Sequence, residues 1–354
     1  MSDFADDLHL DRRKFLALVS GASISTILPK KSFETSSNNL DAGLLDYTAK
    51  KLFEIPTDDE IAESISTNFD FYDPRISNRQ DPNHFKLDFS SANTSADSIY
   101  SCGGIIYPTS VRLAGEYRTF IHGIDNPKFT TNIGDKYNLA IGVSEPNTFY
   151  NRQNKYFSNL LEQSWGKVAA IEGFIKYFQK DTIPLNLKGH SAGAMCSLTA
   201  AIRNPDSINK LELYSGPYDL FAMAQELQLS SIIGNSRPND LRSKIFAQFL
   251  GAERLNLFNN FLRKRNTSPQ ELPKALDELI HSVRKLILLN SPYYRASLLT
   301  PNQFNIDIIY GNQDQLVSPT QSINLYEYLL NCGWDEHHLN LKEVNGGHLV
   351  GAEL

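Results

Sequence analysis

Three side chains of this sequence have the type and setting for nucleophilic catalysis. Ser191 stands in LNLKGHSAGAMCSLTAAI, residues 185–202, with Gly189 and Gly193 two positions away on either side. A lone G-x-S-x-G match is common by chance, so its context has to carry the reading. IPLNLK reads as a strand and AMCSLTAAI as a helix, which sets Ser191 on a strand-to-helix turn. A serine there is pushed out of the backbone into a strained, exposed position, and small residues at 189 and 193 let the neighbouring elements approach. The helix that follows offers unpaired N–H groups and the positive end of its dipole, both useful against a developing oxyanion. A serine hydroxyl needs a base, and the base needs an orienting carboxylate. Downstream, NIDIIYGNQDQLVSP carries Asp314 just past a strand, and LNLKEVNGGHLVG carries His348 just past the next. In a parallel sheet the turns after the strands share one edge, so the three side chains can meet.

Other residues compete less well. Asp307 lies inside a strand pattern and should face a helix layer or the sheet edge. His337 and His338 precede the last strand and belong at its opposite end. His190 neighbours the nucleophile and is expected to pack beside the turn. His281 lies in a charged helical run and is expected at the surface.

The elements that must position these residues follow from the hydrophobic pattern. From about residue 84 the chain alternates strand-like runs (FKLDFS, GGIIYP, YRTFIHG, YNLAIGV, IPLNLKG, KLELYSG, NIDIIYG, LNLKEV) with helical ones. Several strands read as near-continuous apolar runs, the pattern of strands buried on both faces. Leu161, Trp165, Val168, Ile171, Ile175 and Phe178 recur at helical spacing. The expected fold class is α/β: a mostly parallel twisted sheet of about eight strands with helices on both faces. Residues 217–300 break the alternation and read as several helices, an insertion that would cap the sheet or form a peripheral bundle. The chain divides into residues 1–31, an extension over 32–83 and a main domain over 84–354. The helical patch near residues 40–53 is a candidate cover for the sheet beside its last strand.

Composition narrows the function classes. The 354 residues carry a net charge of −6, with 41% hydrophobic and 21% charged residues. That is ordinary for a soluble globular protein and gives no basic stripe for nucleic acid. Cys102, Cys196 and Cys332 are far apart with no CxxC pair, which argues against a zinc site or a disulfide framework and leaves one incidental disulfide open.

GHSAG, GNQD followed by LVSP, GGH near the end, and IHG at 121–123 ahead of the serine turn together resemble the α/β-hydrolase superfamily of esterases, lipases and serine peptidases. SGPYDL and SPYYRASL are most similar to its carboxylesterases and peptidase-like esterases. The resemblance covers residues 84–354 and implies Ser191 as nucleophile, His348 as general base and then acid, and Asp314 as orienting anion. It implies an oxyanion hole of backbone N–H groups at Ala192 and Ile124, beside Gly123. No metal or cofactor is implied. The substrate is expected to be a small-molecule, lipid or sugar ester. SEPNTFYNRQNKYF, rich in amides and aromatics, either meets a polar ligand at the active edge or is a self-packed surface loop. A lipase, lysophospholipase or peptidase of the same fold is one alternative, and a non-catalytic binding protein is another.

Residues 1–31 resemble a twin-arginine export signal: Arg12 and Arg13, then Phe15 and Leu16, a weakly apolar run, and Lys30 and Lys31. Asp11 departs from the usual Ser or Thr. The run is too short to span a bilayer. The resemblance implies a bacterial protein handed to the twin-arginine machinery and placed in the periplasm or outside the cell. Replacing Arg12–Arg13 by Lys–Lys should stop export and leave active enzyme inside the cell. Fractionation of a tagged protein checks this, and unchanged export would remove the twin-arginine reading.

Overall fold

The computed structural model describes residues 42–65, 68–76, 84–91, 100–106, 117–121, 139–141, 160–177, 184–225, 250–263 and 272–350. The segment 1–31, with its Arg pair, lies outside them, as do Gly123, Ile124 and the stretch SEPNTFYNRQNKYF.

The strands are β1 (Phe69–Ile76), β2 (His84–Ser91), β3 (Tyr100–Ile106), β4 (Tyr117–Ile121), β5 (Leu139–Ile141), β6 (Leu185–His190), β7 (Ile208–Tyr214), β8 (Asn305–Gly311) and β9 (Leu339–Val344). They form one sheet in the order β1-β2-β3-β5-β4-β6-β7-β8-β9. From β5 across to β9 all pairs are parallel, while β1, β2 and β3 run antiparallel to their neighbours. Among the described residues the sheet thus has nine strands, where about eight were expected. The additional edge strand, β1, comes from the segment assigned to the extension.

Among the described residues, the helices that pack on the sheet share one face. Helix α4 (Ala192–Arg203) packs on β6 and β7, and α8 (Pro319–Asn331) on β8 and β9. The 3-10 stretch Pro292–Leu298 touches both helices, so both lie on the same side. Helix α3 (Leu160–Tyr177) joins that layer against α4. The strands explain the asymmetry, because their side chains alternate with period two. Leu185, Leu187, Leu211, Leu213, Ile306, Ile308 and Leu339 are at most 1% exposed and meet the helices. Each contributes up to about 1.5–3 kcal/mol by leaving water. The alternate positions are polar and in register: Lys188 beside Glu212, Glu212 beside Asp307, Asp307 beside Asn340. Lys210 Nζ lies 2.7 Å from Asp307 Oδ2 and 3.0 Å from Glu212 Oε1. LNLK, KLEL and NIDI are half-polar strands and not doubly buried ones.

The helix near residue 40 does not cover the last strands. It is α1 (Ala42–Phe53), and with α2 (Asp58–Ile65) it packs against α7 (Leu272–Leu289) in the 217–300 region; α1 also meets α5 (Leu220–Gln225). The other described helix of that region is α6 (Ala252–Arg263). A capping box opens α2: Glu60 N–H donates to Thr57 Oγ1 at 3.3 Å and Thr57 N–H to Glu60 Oε2 at 2.9 Å. Arg284 of α7 reaches the same carboxylate with two hydrogen bonds of 2.8 Å. It also donates to the carbonyls of Lys51, in the last turn of α1, and Glu54, just past it, at 2.7 and 2.8 Å. One guanidinium thereby closes the C-terminus of α1 and the N-terminus of α2.

The Arg284 guanidinium, with the two hydrogen bonds from Thr57, holds the Glu60 carboxyl down at about 2, from an ordinary 4.5. A depressed folded-state value means the pair stabilises the fold above pH 4.5 and that this contribution is lost as pH falls toward 2. Arg284→Leu should cost about 2–3 kcal/mol at neutral pH. It should also flatten the fall in stability between those pH values. Melting curves of both proteins across that range check the prediction.

Candidate active site

The serine turn is built from close backbone approach. Ser191 has φ 55° and ψ −126°, and it follows the last residue of β6 and precedes the first of α4. A positive φ at a non-glycine residue is costly, about 1–3 kcal/mol, and persists only where the surroundings over-determine it. They do so here. Ser191 N–H donates to Tyr214 O at 2.8 Å, fixing the turn to the end of β7, and Ala194 N–H returns to Ser191 O at 2.9 Å. A Cβ on Gly189 would lie 2.6 Å from Ala194 N, so only glycine lets the strand end run under the helix start. Ala192 and Gly193 open α4, where the first N–H groups of a helix have no intrahelical acceptor. Ala192 is the one expected oxyanion donor within the described residues.

Asp314 follows β8. Its Oδ1 accepts from the N–H groups of Leu316 and Val317 at 2.8 and 3.0 Å, which curls the turn around the carboxylate. That leaves Oδ2 for His348, whose Nδ1–H donates to it at 2.8 Å. The other ring nitrogen, Nε2, accepts from Ser191 Oγ at 2.9 Å. The three residues named from the sequence therefore form one continuous relay, from Ser191 through His348 to Asp314. The loops that carry Asp314 and His348 are laced together: Asn312 N–H donates to Val344 O at 3.0 Å and Gln313 N–H to Gly346 O at 2.9 Å. A Cβ on Gly311 would strike the carbonyls of Gly346 and Gly347, which explains glycine at the end of β8.

Burial departs from expectation. Ser191 was expected in an exposed position, yet Ser191, Asp314 and His348 are 5%, 5% and 4% exposed. In that low-dielectric setting a carboxylate needs several donors, and Asp314 has three.

The competitors lie elsewhere. Asp307 is on the polar sheet face with Lys210 and Asn340. His338 pairs with Asp335 at 2.9 Å ahead of β9, and His281 is exposed on α7. His190 stays beside the turn, as expected, but its Nε2 lies 2.6 Å from His348 O, a contact the sequence pattern does not reveal. The Leu316 and Val317 amides were also missed, though an Asp two residues ahead of an unpaired N–H is a readable turn signal. Cys196 is a buried free thiol that donates to Ser164 O, and burial raises its pKa to about 11; Cys332 is also free.

No family model matches the chain, and no curated protein matches it. Solved structures do. Acylaminoacyl peptidase from Pyrococcus horikoshii is 14% identical over 79% of this chain and 38% of its own, with a TM-score of 0.40. A Mycobacterium tuberculosis puromycin-hydrolyzing peptidase is 14% identical over 75% of this chain and 41% of its own, with a TM-score of 0.41. A bacterial membrane phospholipase A is 12% identical over 88% of this chain and 89% of its own, with a TM-score of 0.37. The chain thus spans about two fifths of the length of these peptidases. Likeness at this level says nothing of what the chain acts on.

Gly189→Ala should destabilise the fold by about 1–3 kcal/mol, because the added methyl meets backbone that cannot rotate away. The same shift should misplace Ser191. Thermal unfolding reads the first effect, and an unchanged melting temperature would contradict the packing described for the turn.

Proposed function

We propose that the chain is a serine hydrolase that cleaves a carboxylic ester through an acyl-enzyme. The observation supporting this is the unbroken relay of two hydrogen bonds, 2.9 and 2.8 Å, that begins at a serine with positive φ. In the reaction His348 Nε2 takes the proton of Ser191 Oγ as the oxygen bonds to the ester carbonyl carbon. The tetrahedral intermediate collapses, and the leaving alcohol departs with the proton from His348. Water then repeats the sequence: it loses its proton to His348 and attacks the acyl carbon, and Ser191 leaves with that proton. Asp314 keeps the Nδ1–H tautomer and stabilises the imidazolium. The Ala192 N–H, with a second from Ile124 beside Gly123, would hold the oxyanion.

Further parts of the reading rest on sequence alone. The helices of 217–300 would shape the acyl or alcohol pocket. The Arg pair and the apolar run after it support export to the periplasm or beyond. The polar stretch after β5 suits an ester with polar groups.

The test is labelling by a fluorophosphonate probe, followed by a chain-length series of nitrophenyl esters and matched amides. Short esters favoured over amides fit the proposal. A preference for long acyl chains would make the enzyme a lipase, a preference for amides a peptidase, and no labelling a binding protein.

Ser191→Ala should abolish labelling and turnover, and His348→Ala should cost about as much, because the two act as one unit. Asp314→Asn should lower kcat by up to about 10⁴. The asparagine oxygen is drawn to the Leu316 and Val317 amides, so its NH2 faces Nδ1 of His348. The ring then carries its hydrogen on Nε2, where it cannot accept from Ser191. Full activity in Asp314→Asn would move the role of acid to another residue.

A further inference from the structure

Beside the relay, one titratable and buried group touches the base without joining it. We infer that His190 is a positioning residue for His348, and that the dipeptide His190–Ser191 grips the base at two points. The inference rests on the reading of Ser191 and His348 as nucleophile and base. His190 is 7% exposed and ends β6. Its Nε2 lies 2.6 Å from the backbone oxygen of His348. A carbonyl oxygen only accepts, so His190 Nε2 carries the hydrogen and donates it. The neighbouring residue, Ser191, reaches the ring of the same histidine through Oγ. One strand end therefore holds His348 by its main chain and by its imidazole.

The loop needs such a hold. It runs through Asn345, Gly346 and Gly347, and two adjacent glycines leave the backbone permissive just ahead of the base. Upstream it is pinned to the acid turn by Gln313, whose N–H meets Gly346 O at 2.9 Å and whose side-chain amide meets Asn345 Oδ1 at 3.0 Å. Those bonds fix the residues before His348. The bond from His190 fixes the peptide of His348 itself, and it comes from the nucleophile side of the site. The rings of His190 and His348 also pack, with centroids 5.1 Å apart at 54°. A shift of the carbonyl carries Cα and the imidazole with it, and a displacement near 1 Å costs about 10²-fold in rate.

The test uses the full chain and two variants. His190→Phe keeps the bulk and removes the donor, and His190→Gln keeps an N–H donor. Each is compared with the wild type in kcat and KM for a short nitrophenyl ester, in the rate of fluorophosphonate labelling, and in melting temperature. His190→Phe should lose about 10- to 100-fold in kcat and in labelling rate, with KM nearly unchanged. His190→Gln should restore most of both. Should the Phe variant fail to fold, His190→Met carries the same expectation. Wild-type kcat in the variant without a donor would overturn the inference. So would equal losses in Phe and Gln that track the melting temperature. A wild type that takes up no label would instead overturn the serine-hydrolase reading, and the positioning role with it.

Discussion

The positive φ of Ser191 is the constraint on which the rest of this edge depends. It turns the chain from β6 into α4 within one residue and aims Oγ away from both. A conformation this costly must be held by its neighbours, and they can be named. The end of β7 accepts the Ser191 N–H, and glycine at 189 admits the first turn of α4. At 216, another glycine leaves room for Ala194, where a Cβ would come within 2.8 Å of the Ala194 Cβ. The residues from Ala192 through Ile202 are all buried, so α4 is anchored all round and cannot relax to release the strain. A helix rich in Ala, Gly and Ser fits there because its small side chains let strands and helices press close.

A parallel sheet then does the rest of the positioning. The chain leaves β6, β8 and β9 at the same edge, and each exit carries one of the three groups. Their meeting needs no long reach. Adjacent strands bring the acid and base turns into direct main-chain contact, and β7 closes the gap to the serine turn. The described helices keep water from the apolar face of the sheet, while the polar positions of β7, β8 and β9 pair among themselves through Lys210, Glu212, Asp307 and Asn340.

What was legible in the sequence had short-range signatures. The strand–G-x-S-x-G–helix pattern around Ser191 is local, and so are the turn residues at Asp314 and His348. LNLK, KLEL and NIDI read as apolar runs, yet their burial alternates along the strand. Lys210 and Asp307 sit on different strands nearly a hundred positions apart, so the polar face is visible only when register is known. The same holds for Arg284, which meets Glu60 across more than 200 residues and ties α1 and α2 to the insertion. His190 was read correctly as a neighbour of the turn. Its grip on the His348 carbonyl was hidden, because nothing in either local sequence encodes the other.

The root of the insertion connects these parts. Its two ends meet: Tyr293 N–H donates to Tyr218 O at 3.1 Å, Leu220 N–H to Ser291 Oγ at 3.2 Å, and Tyr294 OH to Asp219 Oδ2 at 3.0 Å. Burial raises the pKa of the Asp219 carboxyl, and the backbone N–H groups of Ala222 and Phe221 join Tyr294 in opposing that rise. Gln321 of α8 then clasps the main chain of Asp219 from both sides, accepting its N–H at 2.8 Å and donating to its O at 3.1 Å. Helix α8 starts at Pro319, capped by Ser318, directly after the Leu316 and Val317 amides that cradle Asp314. The insertion is therefore stitched closed where it leaves the sheet, and the helix that holds the stitch at Gln321 begins two residues after the amides that cradle Asp314, so one short stretch of chain serves both the root of the insertion and the turn after β8.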